Sequence, residues 1–179
     1  MKLFENQQID INTLPRVRSI DFLRPKKSYL GLTMAKSIIF WTFMFSIFSL
    51  CIYLAQEEYY EYILYARVVF YPLALISILM TLISYYKRGH ALREHDIVYK
   101  EGVFYKDTTT ISFNRIQHCE VSQGPFEQLF DLSTIKVFTA GGQSSDLEIP
   151  GLNNLEAEKT REFIIHKIST IQQQYGEEE

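Results

Sequence analysis

The sequence predicts a two-helix membrane hairpin followed by a small, mainly β domain that ends in a helix. Two runs, 37–55 and 68–86, each hold nineteen residues without Asp, Glu, Lys, Arg or His. At about 1.5 Å per residue, such a run forms a helix of roughly 28 Å, which matches the thickness of the bilayer hydrocarbon core. After them, short β-rich runs separated by turns replace the continuous apolar stretches, and an amphipathic stretch follows.

The alternative for the two apolar runs is a pair of buried helices in a soluble protein. Each run contains ten Leu, Ile, Val or Phe residues and stays apolar on every face for about five turns. Helices of soluble proteins are normally amphipathic, so we predict membrane spans. The predicted segments are a basic tail (1–36), a hairpin (37–86) with a loop at 56–67, a domain (87–175) and an acidic tail (176–179).

The charges that flank the spans orient the hairpin. Seven Lys or Arg residues against three Asp or Glu precede the first span, and Lys87, Arg88 and Arg93 follow the second, whereas the loop is acidic. The positive-inside rule therefore places both termini in the cytoplasm. We expect Tyr85 and Tyr86 to mark the inner headgroup layer. The first span lacks a small-x-small cleavage pattern, so we expect it to be retained.

The basic residues nearest the membrane form a candidate contact for anionic lipids. A Lys or Arg beside an anionic leaflet gains roughly 1 kcal/mol. The alternative is that these residues serve only to set the topology. The candidate lipid contacts are Arg24, Lys26, Lys27, Lys87 and Arg88.

Six β-rich runs and two shorter features define the predicted domain. Glu101–Gly102 is read as a reversal between the first two runs, and Gly141–Gly142 opens a later one. Residues 125–131 are predicted to form a helical turn that packs Phe126, Leu129 and Phe130. The predicted strands are 96–100, 103–106, 108–113, 116–123, 134–139 and 146–149.

The last predicted element is an amphipathic helix. Asn153 or Asn154 is a suitable N-cap, because a short polar side chain can accept a hydrogen bond from the first free N–H groups. One apolar stripe would then face the strands. The residues of this stripe are Leu155, Phe163, Ile164, Ile168 and Ile171.

Residues 90–163 resemble the bacterial pleckstrin-homology-like (PH-like) domain of YdbS-like membrane proteins, the bPH2 type. The resemblance implies a PH-like fold, with two roughly orthogonal antiparallel sheets capped by a C-terminal helix, in a bacterial cytoplasmic membrane. It also implies association with copies of the domain or with a larger membrane protein that carries similar domains. The motifs that carry the resemblance include Arg115–Ile116–Gln117, Val121–Ser122–Gln123–Gly124–Pro125, Thr139–Ala140–Gly141–Gly142 and Ile149–Pro150–Gly151–Leu152.

Several function classes find no support in the sequence. From Lys87 onward the chain has ten Lys and Arg but fifteen Asp and Glu. This net negative charge opposes the binding of nucleic acids and polyphosphate headgroups. The four histidines follow no metal or catalytic spacing. We therefore predict no enzyme activity, no cofactor, no metal site and no small-molecule substrate. The histidines are His90, His95, His118 and His166.

The predicted function is that of a membrane-anchored scaffold that joins proteins at the inner face of the membrane. The candidate protein-contact surface consists of Arg115, Gln117, Gln123 and Phe126. If residues 116–123 form a regular strand, Gln117 and Gln123 have the same parity and face one side. The alternatives are that the glutamines are buried structural residues, or that the protein is a module that senses anionic lipids.

Overall fold

The computed structural model describes residues 20–54, 59–140 and 145–176 of the 179-residue chain. Two long helices precede two small sheets and a last helix. A 3-10 turn at Phe113–Arg115 lies between β3 and β4. In chain order the elements are α1 (Lys27–Leu54), α2 (Tyr60–Lys87), β1 (Gly89–Leu92), β2 (Asp96–Glu101), β3 (Asp107–Ser112), β4 (Ile116–Ser122), α3 (Pro125–Leu129), β5 (Ser133–Thr139), β6 (Leu147–Leu152) and α4 (Asn154–Gly176).

Helices α1 and α2 form the predicted hairpin and pack through aromatic rings. Trp41 and Phe70 meet edge to face at 5.2 Å, and Phe48 stacks on Phe70 at 5.7 Å. In the most apolar stretch of α1 none of the residues is buried within the protein, and in that of α2 only 6% are. Helices from the core of a soluble protein would be mostly buried, so these two are apolar enough and exposed enough to cross a membrane.

Both helices extend beyond the predicted spans. α1 begins at Lys27, ten residues before the first apolar run, so the end of the predicted basic tail is helical. α2 begins at Tyr60, inside the predicted loop 56–67. Residues 55–58, the start of the predicted basic tail (1–19) and the acidic residues 177–179 lie outside the described residues.

The domain contains two three-stranded antiparallel sheets, ordered β1-β2-β3 and β4-β5-β6. Ile97 pairs with Ile111 in the first sheet and Val121 with Ile135 in the second. Together with α4, the two sheets confirm the predicted PH-like fold of two antiparallel sheets capped by a C-terminal helix.

The core lies between the sheets and α4. Ile97, Phe113, Ile135 and Ile164 are fully buried, and β2 and β5 each bury three consecutive residues instead of alternate ones. Ile164 on α4 belongs to the predicted stripe, and Ile168 and Ile171 are partly buried against the same core. Phe163 meets Phe113 edge to face at 6.0 Å.

The N-terminus of α4 confirms the cap and corrects one member of the stripe. The Asn153 side-chain oxygen accepts a 2.7 Å hydrogen bond from the Glu156 N–H. Leu155 is 64% exposed, so it does not belong to the buried stripe. Ala157, which is fully buried, takes the corresponding inward position.

Two β-predictions were wrong. Residues 103–106, predicted as a strand, form instead the loop between β2 and β3, which begins at Gly102 with φ +104°. Strand β1 was missed, because its four residues include no β-branched side chain. The predicted reversal at Gly141–Gly142 lies outside the described residues.

The short helix α3 was predicted correctly, but most of its apolar side chains are not packed as predicted. Phe130, which follows α3, packs against buried residues at the start of α1. Phe126 is 49% exposed and Leu129 is 78% exposed. The Glu127 carboxylate accepts hydrogen bonds from the Gly124 N–H at 2.8 Å and from the Thr134 hydroxyl at 2.7 Å, which fix α3 against β5.

Candidate functional site

The hairpin and the domain meet at a tight junction. Only Arg88 separates the end of α2 from the start of β1. Leu23 exchanges two backbone hydrogen bonds with His90 of β1, at 2.8 and 2.9 Å. The Lys26 N–H donates a 2.8 Å hydrogen bond to the Gly151 carbonyl of β6. The segment before α1 therefore contacts both sheets.

Gly151 permits this close approach. Its φ is +82°, and a Cβ at this position would lie 2.8 Å from Pro25 Cβ and 2.8 Å from Tyr29 Cγ. A side chain would therefore meet both a strained backbone and two close contacts. Gly151 is one of the motif residues on which the family resemblance rests, and the structure gives it a role at the junction.

A small buried cluster fills the centre of the junction. It contains Tyr29 and Leu32 from α1, Tyr85 from α2 and Leu132 from the domain. The Tyr85 hydroxyl donates a 3.1 Å hydrogen bond to the Pro25 carbonyl. Tyr85 is thus buried in protein and does not mark the lipid headgroup layer as predicted, whereas Tyr86 is 57% exposed.

Arg88 connects the cluster to the domain. Its Nη1 donates a hydrogen bond to the Tyr29 hydroxyl, and its guanidinium lies 5.9 Å from the centre of the Tyr29 ring. Its Nε lies 3.5 Å from Glu101 Oε2, within ion-pair distance but without hydrogen-bond geometry. Glu101 therefore balances the charge of a half-buried arginine next to the helix ends.

The five predicted lipid contacts gather around this junction but differ in their environments. Lys26 Nζ forms a 2.6 Å ion pair with Glu156 of α4. Arg88 donates a hydrogen bond to the Tyr29 hydroxyl and lies within ion-pair distance of Glu101. Arg24, Lys27 and Lys87 are exposed. Two of the five therefore hold the domain against the hairpin, and three are available to a ligand.

A cavity of about 530 Å³, here called the junction cavity, lies between the helix pair and the β2–β3 loop. Most of its lining residues carry a hydroxyl group or a positive charge, but the surface that they present to the cavity is mainly apolar. The lining includes Lys36, Ser77, Met80, Val103 and Phe104.

A second, more polar cleft of about 590 Å³ opens between the two sheets. Lys36 and Arg88 are its basic residues, and five carboxylates line it as well. This excess of negative charge opposes polyphosphate ligands, as the composition of the domain predicts. The carboxylates belong to Glu101, Asp107, Glu127, Asp146 and Glu148.

The predicted protein-contact surface is not one surface. The register of β4 shifts between Ile116 and His118, so the strand is irregular and the parity argument for the two glutamines does not hold. Gln117 is exposed, whereas Gln123 lies beyond the other end of β4 and is half-buried. The two residues are six positions apart, which is roughly 20 Å along an extended strand.

The two ends of β4 have different neighbours. Arg115 and Gln117 are exposed at the first end. At the other end, Phe126 lies beside the hairpin, with Lys36 Nζ 5.8 Å from the centre of its ring. The structure therefore groups Arg115 with Gln117, and Gln123 with Phe126.

Burial shifts the pKa values of a histidine and a cysteine in the described part of the domain. Burial lowers the pKa of His90, partly offset by the nearby Glu156 carboxylate. Burial raises the pKa of the Cys119 thiol to about 11, so it is not an activated nucleophile. Within the described ranges, no group of three or more His, Cys, Asp or Glu side chains could hold a metal ion.

Comparison with known proteins agrees with the fold. Residues 37–168 match the family described as "Bacterial PH domain", and the matched region includes both helices of the hairpin. The chain is 33% identical over 75 residues to the UPF0699 transmembrane protein YdbS of Bacillus subtilis. That alignment covers 42% of this chain and 45% of the relative, so the chain spans less than half of the relative's length. No solved structure matches the chain.

Proposed function

Because the chain belongs to the bacterial PH domain family, as a YdbS-like membrane protein, we propose that it is a non-enzymatic scaffold at the inner face of the bacterial cytoplasmic membrane. The two helices would cross the membrane with both termini in the cytoplasm. The domain would bind a second copy of itself or a larger membrane protein with similar PH-like domains. The family is not a known enzyme class, which supports a scaffold more than an enzyme.

The observation that supports this proposal most is the packed, hydrogen-bonded junction between the hairpin and the domain. Backbone hydrogen bonds from Leu23 and Lys26, the buried cluster around Tyr85, and the ion pair between Lys26 and Glu156 fix the domain against the hairpin. Confinement to a membrane layer raises the effective concentration of the domain for other membrane proteins. A fixed orientation also lowers the entropic cost of docking.

The first end of β4 is the surface that we propose for assembly. Arg115 and Gln117 are exposed there, and the outer edges of β3 and β4 pair with no strand in the described part of the chain. Exposed strand edges can add a strand from a partner. Thr108 and Thr110 of β3 are exposed and have side chains that favour extended structure.

The test is purification of the full-length protein from its native membrane in a gentle detergent, followed by mass measurement of the retained complex. We expect a defined oligomer or a stoichiometric protein partner. The double variant Arg115→Ala/Gln117→Ala should lose that complex without a change in melting temperature. The matched control is Gln172→Ala, at an exposed position of α4, which should keep it.

Two results would contradict the proposal. One is a wild-type monomer that carries no protein partner under these conditions. The other is a double variant that loses the complex only because its melting temperature falls, which would make Arg115 and Gln117 structural residues.

The second candidate function is the sensing of anionic lipids, and the exposure of Arg24, Lys27 and Lys87 beside the helix ends favours it. The triple change of these residues to Gln should then abolish preferential binding of anionic over zwitterionic lipid to the purified protein. The control is Lys159→Gln, at an exposed position on α4. Equal lipid preference in the wild-type and triple-variant proteins would reject lipid sensing through these residues.

A further inference from the structure

The loop between β2 and β3 exposes two aromatic side chains. Phe104 is 80% exposed and Tyr105 is 90% exposed, more than any other large hydrophobic side chain in the described part of the domain. An exposed pair of this kind marks an interaction site when its surroundings are consistent with one partner. The loop has no part in the proposed assembly surface.

The backbone holds these side chains outward in a compact turn. Gly102 begins the loop at φ +104°, and a Cβ on it would lie 1.6 Å from the Tyr105 carbonyl oxygen. The strands continue to pair up to Glu101 and Asp107, at the base of the loop. The conformation therefore depends on Gly102 and on the paired strands below it.

The depth of the loop relative to the hairpin indicates its partner. Val103 and Phe104 line the junction cavity together with Lys36 of α1 and with Ser77 and Met80 of α2. Lys36 is the last charged residue before the apolar run 37–55, and Met80 lies inside the run 68–86. The loop thus reaches the level at which the two helices enter the apolar layer.

We propose that the β2–β3 loop inserts Phe104 and Tyr105 into the interfacial layer of the bilayer leaflet on the domain's side. Aromatic rings are favoured at this depth, because their apolar bodies leave water while the Tyr hydroxyl stays near the headgroups. Lys106, which follows, is exposed and can extend its ammonium group to the lipid phosphates.

The short helix α3 is a second element at the level of the β2–β3 loop. Phe126 of α3 contacts Lys36, and Leu129 is 78% exposed on the same short helix. The lipid bilayer is the occupant that best fits both elements, since Ile76 and Leu79, beside Ser77 and Met80 on α2, are themselves 50% and 46% exposed. The loop therefore lies across the junction cavity from a helix segment whose adjacent apolar side chains are exposed.

Tryptophan fluorescence in proteoliposomes tests this insertion, because the chain has a single Trp, Trp41 in α1. In a Trp41→Phe background, Phe104→Trp and, separately, Tyr105→Trp place a reporter in the loop at exposed positions. The matched control is Ile165→Trp, 48% exposed on α4, roughly 13 Å further along the helix axis than Glu156, which pairs with Lys26.

Quenching by phospholipids brominated on the acyl chains is compared with quenching by aqueous acrylamide. We expect brominated lipid to quench the Trp at 104 or 105 clearly more strongly than the Trp at the control position 165. It should be less accessible to acrylamide than the control at 165, which brominated lipid should not quench.

Two outcomes would overturn the insertion. If brominated lipid quenches both loop positions no more than the control and acrylamide quenches them fully, the loop lies in water. If both loop positions are protected from both quenchers, a protein surface covers the loop instead of lipid. The result does not depend on the assembly proposal, because neither quencher reports the oligomeric state.

Discussion

The backbone N–H of Lys26 donates a 2.8 Å hydrogen bond to the carbonyl oxygen of Gly151. This bond joins the residue before α1 to the last strand of the second sheet, 125 positions away in the sequence. The membrane hairpin and the PH-like domain are therefore one packed structure, in which Gly151 and Tyr85 lie beside this bond.

Replacement of Gly151 by Ala should separate the domain from the hairpin. At φ +82°, Ala costs about 1–3 kcal/mol of backbone strain, and its Cβ would approach Pro25 and Tyr29 to 2.8 Å. We expect a lower melting temperature in detergent and faster proteolysis near residues 20–26. Gly124→Ala is the control, since its nearest contact is 3.5 Å and its φ is −73°. Equal melting temperatures for the two variants would refute this role of Gly151.

Tyr85→Phe should destabilise the junction without changing its shape. The substitution removes the 3.1 Å hydrogen bond to Pro25 and leaves the buried Pro25 carbonyl without that donor. The expected loss is about 1–3 kcal/mol in the free energy of unfolding. Tyr86→Phe, at an exposed neighbour, should change the stability little. Chemical denaturation of both variants measures the difference, and similar losses would argue against a structural hydroxyl at position 85.

Gly102→Ala should distort the β2–β3 loop while the rest of the domain stays folded. A Cβ would lie 1.6 Å from the Tyr105 carbonyl oxygen, so the loop backbone must move. In the Phe104→Trp reporter background, we expect a changed emission spectrum together with an unchanged far-ultraviolet circular dichroism spectrum. An unaltered emission spectrum would mean that the loop conformation does not require glycine.

Protonation of His90 should lower the free energy of unfolding of the domain in mild acid. Burial lowers its pKa below the usual value of 6.5, so the unfolded chain binds a proton that the folded domain does not. The stabilisation is therefore complete above about pH 6.5 and decreases as the pH falls towards the lowered folded pKa. At about pH 5.5 the loss reaches at most about 1.4 kcal/mol.

The measurement is the unfolding free energy at about pH 7.5 and about pH 5.5 for the wild type and His90→Gln. The difference between the two pH values should be smaller in the variant, because carboxylate contributions are common to both proteins. An identical pH dependence in wild type and His90→Gln would exclude His90 as the cause.

Much of the fold was predictable because its signals are local. The two charge-free runs indicate long apolar helices, the β-branched and aromatic residues around Ile97 and Ile135 indicate strands, and Asn153 or Asn154 indicates where α4 begins. The short β1 gave no such signal. The run 103–106 was wrongly predicted as a strand, because its Val, Phe and Tyr residues favour strands. The same residue types also suit exposed positions beside a membrane.

The candidate site was less predictable, because it depends on contacts between distant residues. The basic cluster was identified, but the sequence could not separate Lys26 and Arg88, which form ion pairs with Glu156 and Glu101, from the exposed Lys27. We expected Gln117 and Gln123 to face one side of a regular strand. The register shift inside β4 makes the strand irregular, and such a shift cannot be recognised from the spacing of residues in the sequence.

The sequence by itself determined that this protein has two long apolar helices followed by short strands and a last helix, because hydropathy and periodicity act along the chain. The PH-like arrangement of those strands was implied by the family resemblance. Only the tertiary structure decided how these parts join. The approach of Pro25 and Tyr29 to Gly151, the burial of Tyr85 and the level of Phe104 beside α2 all depend on distances between residues far apart in the sequence. Such distances are set by packing, which favours close contact wherever a missing side chain or a satisfied hydrogen bond permits it.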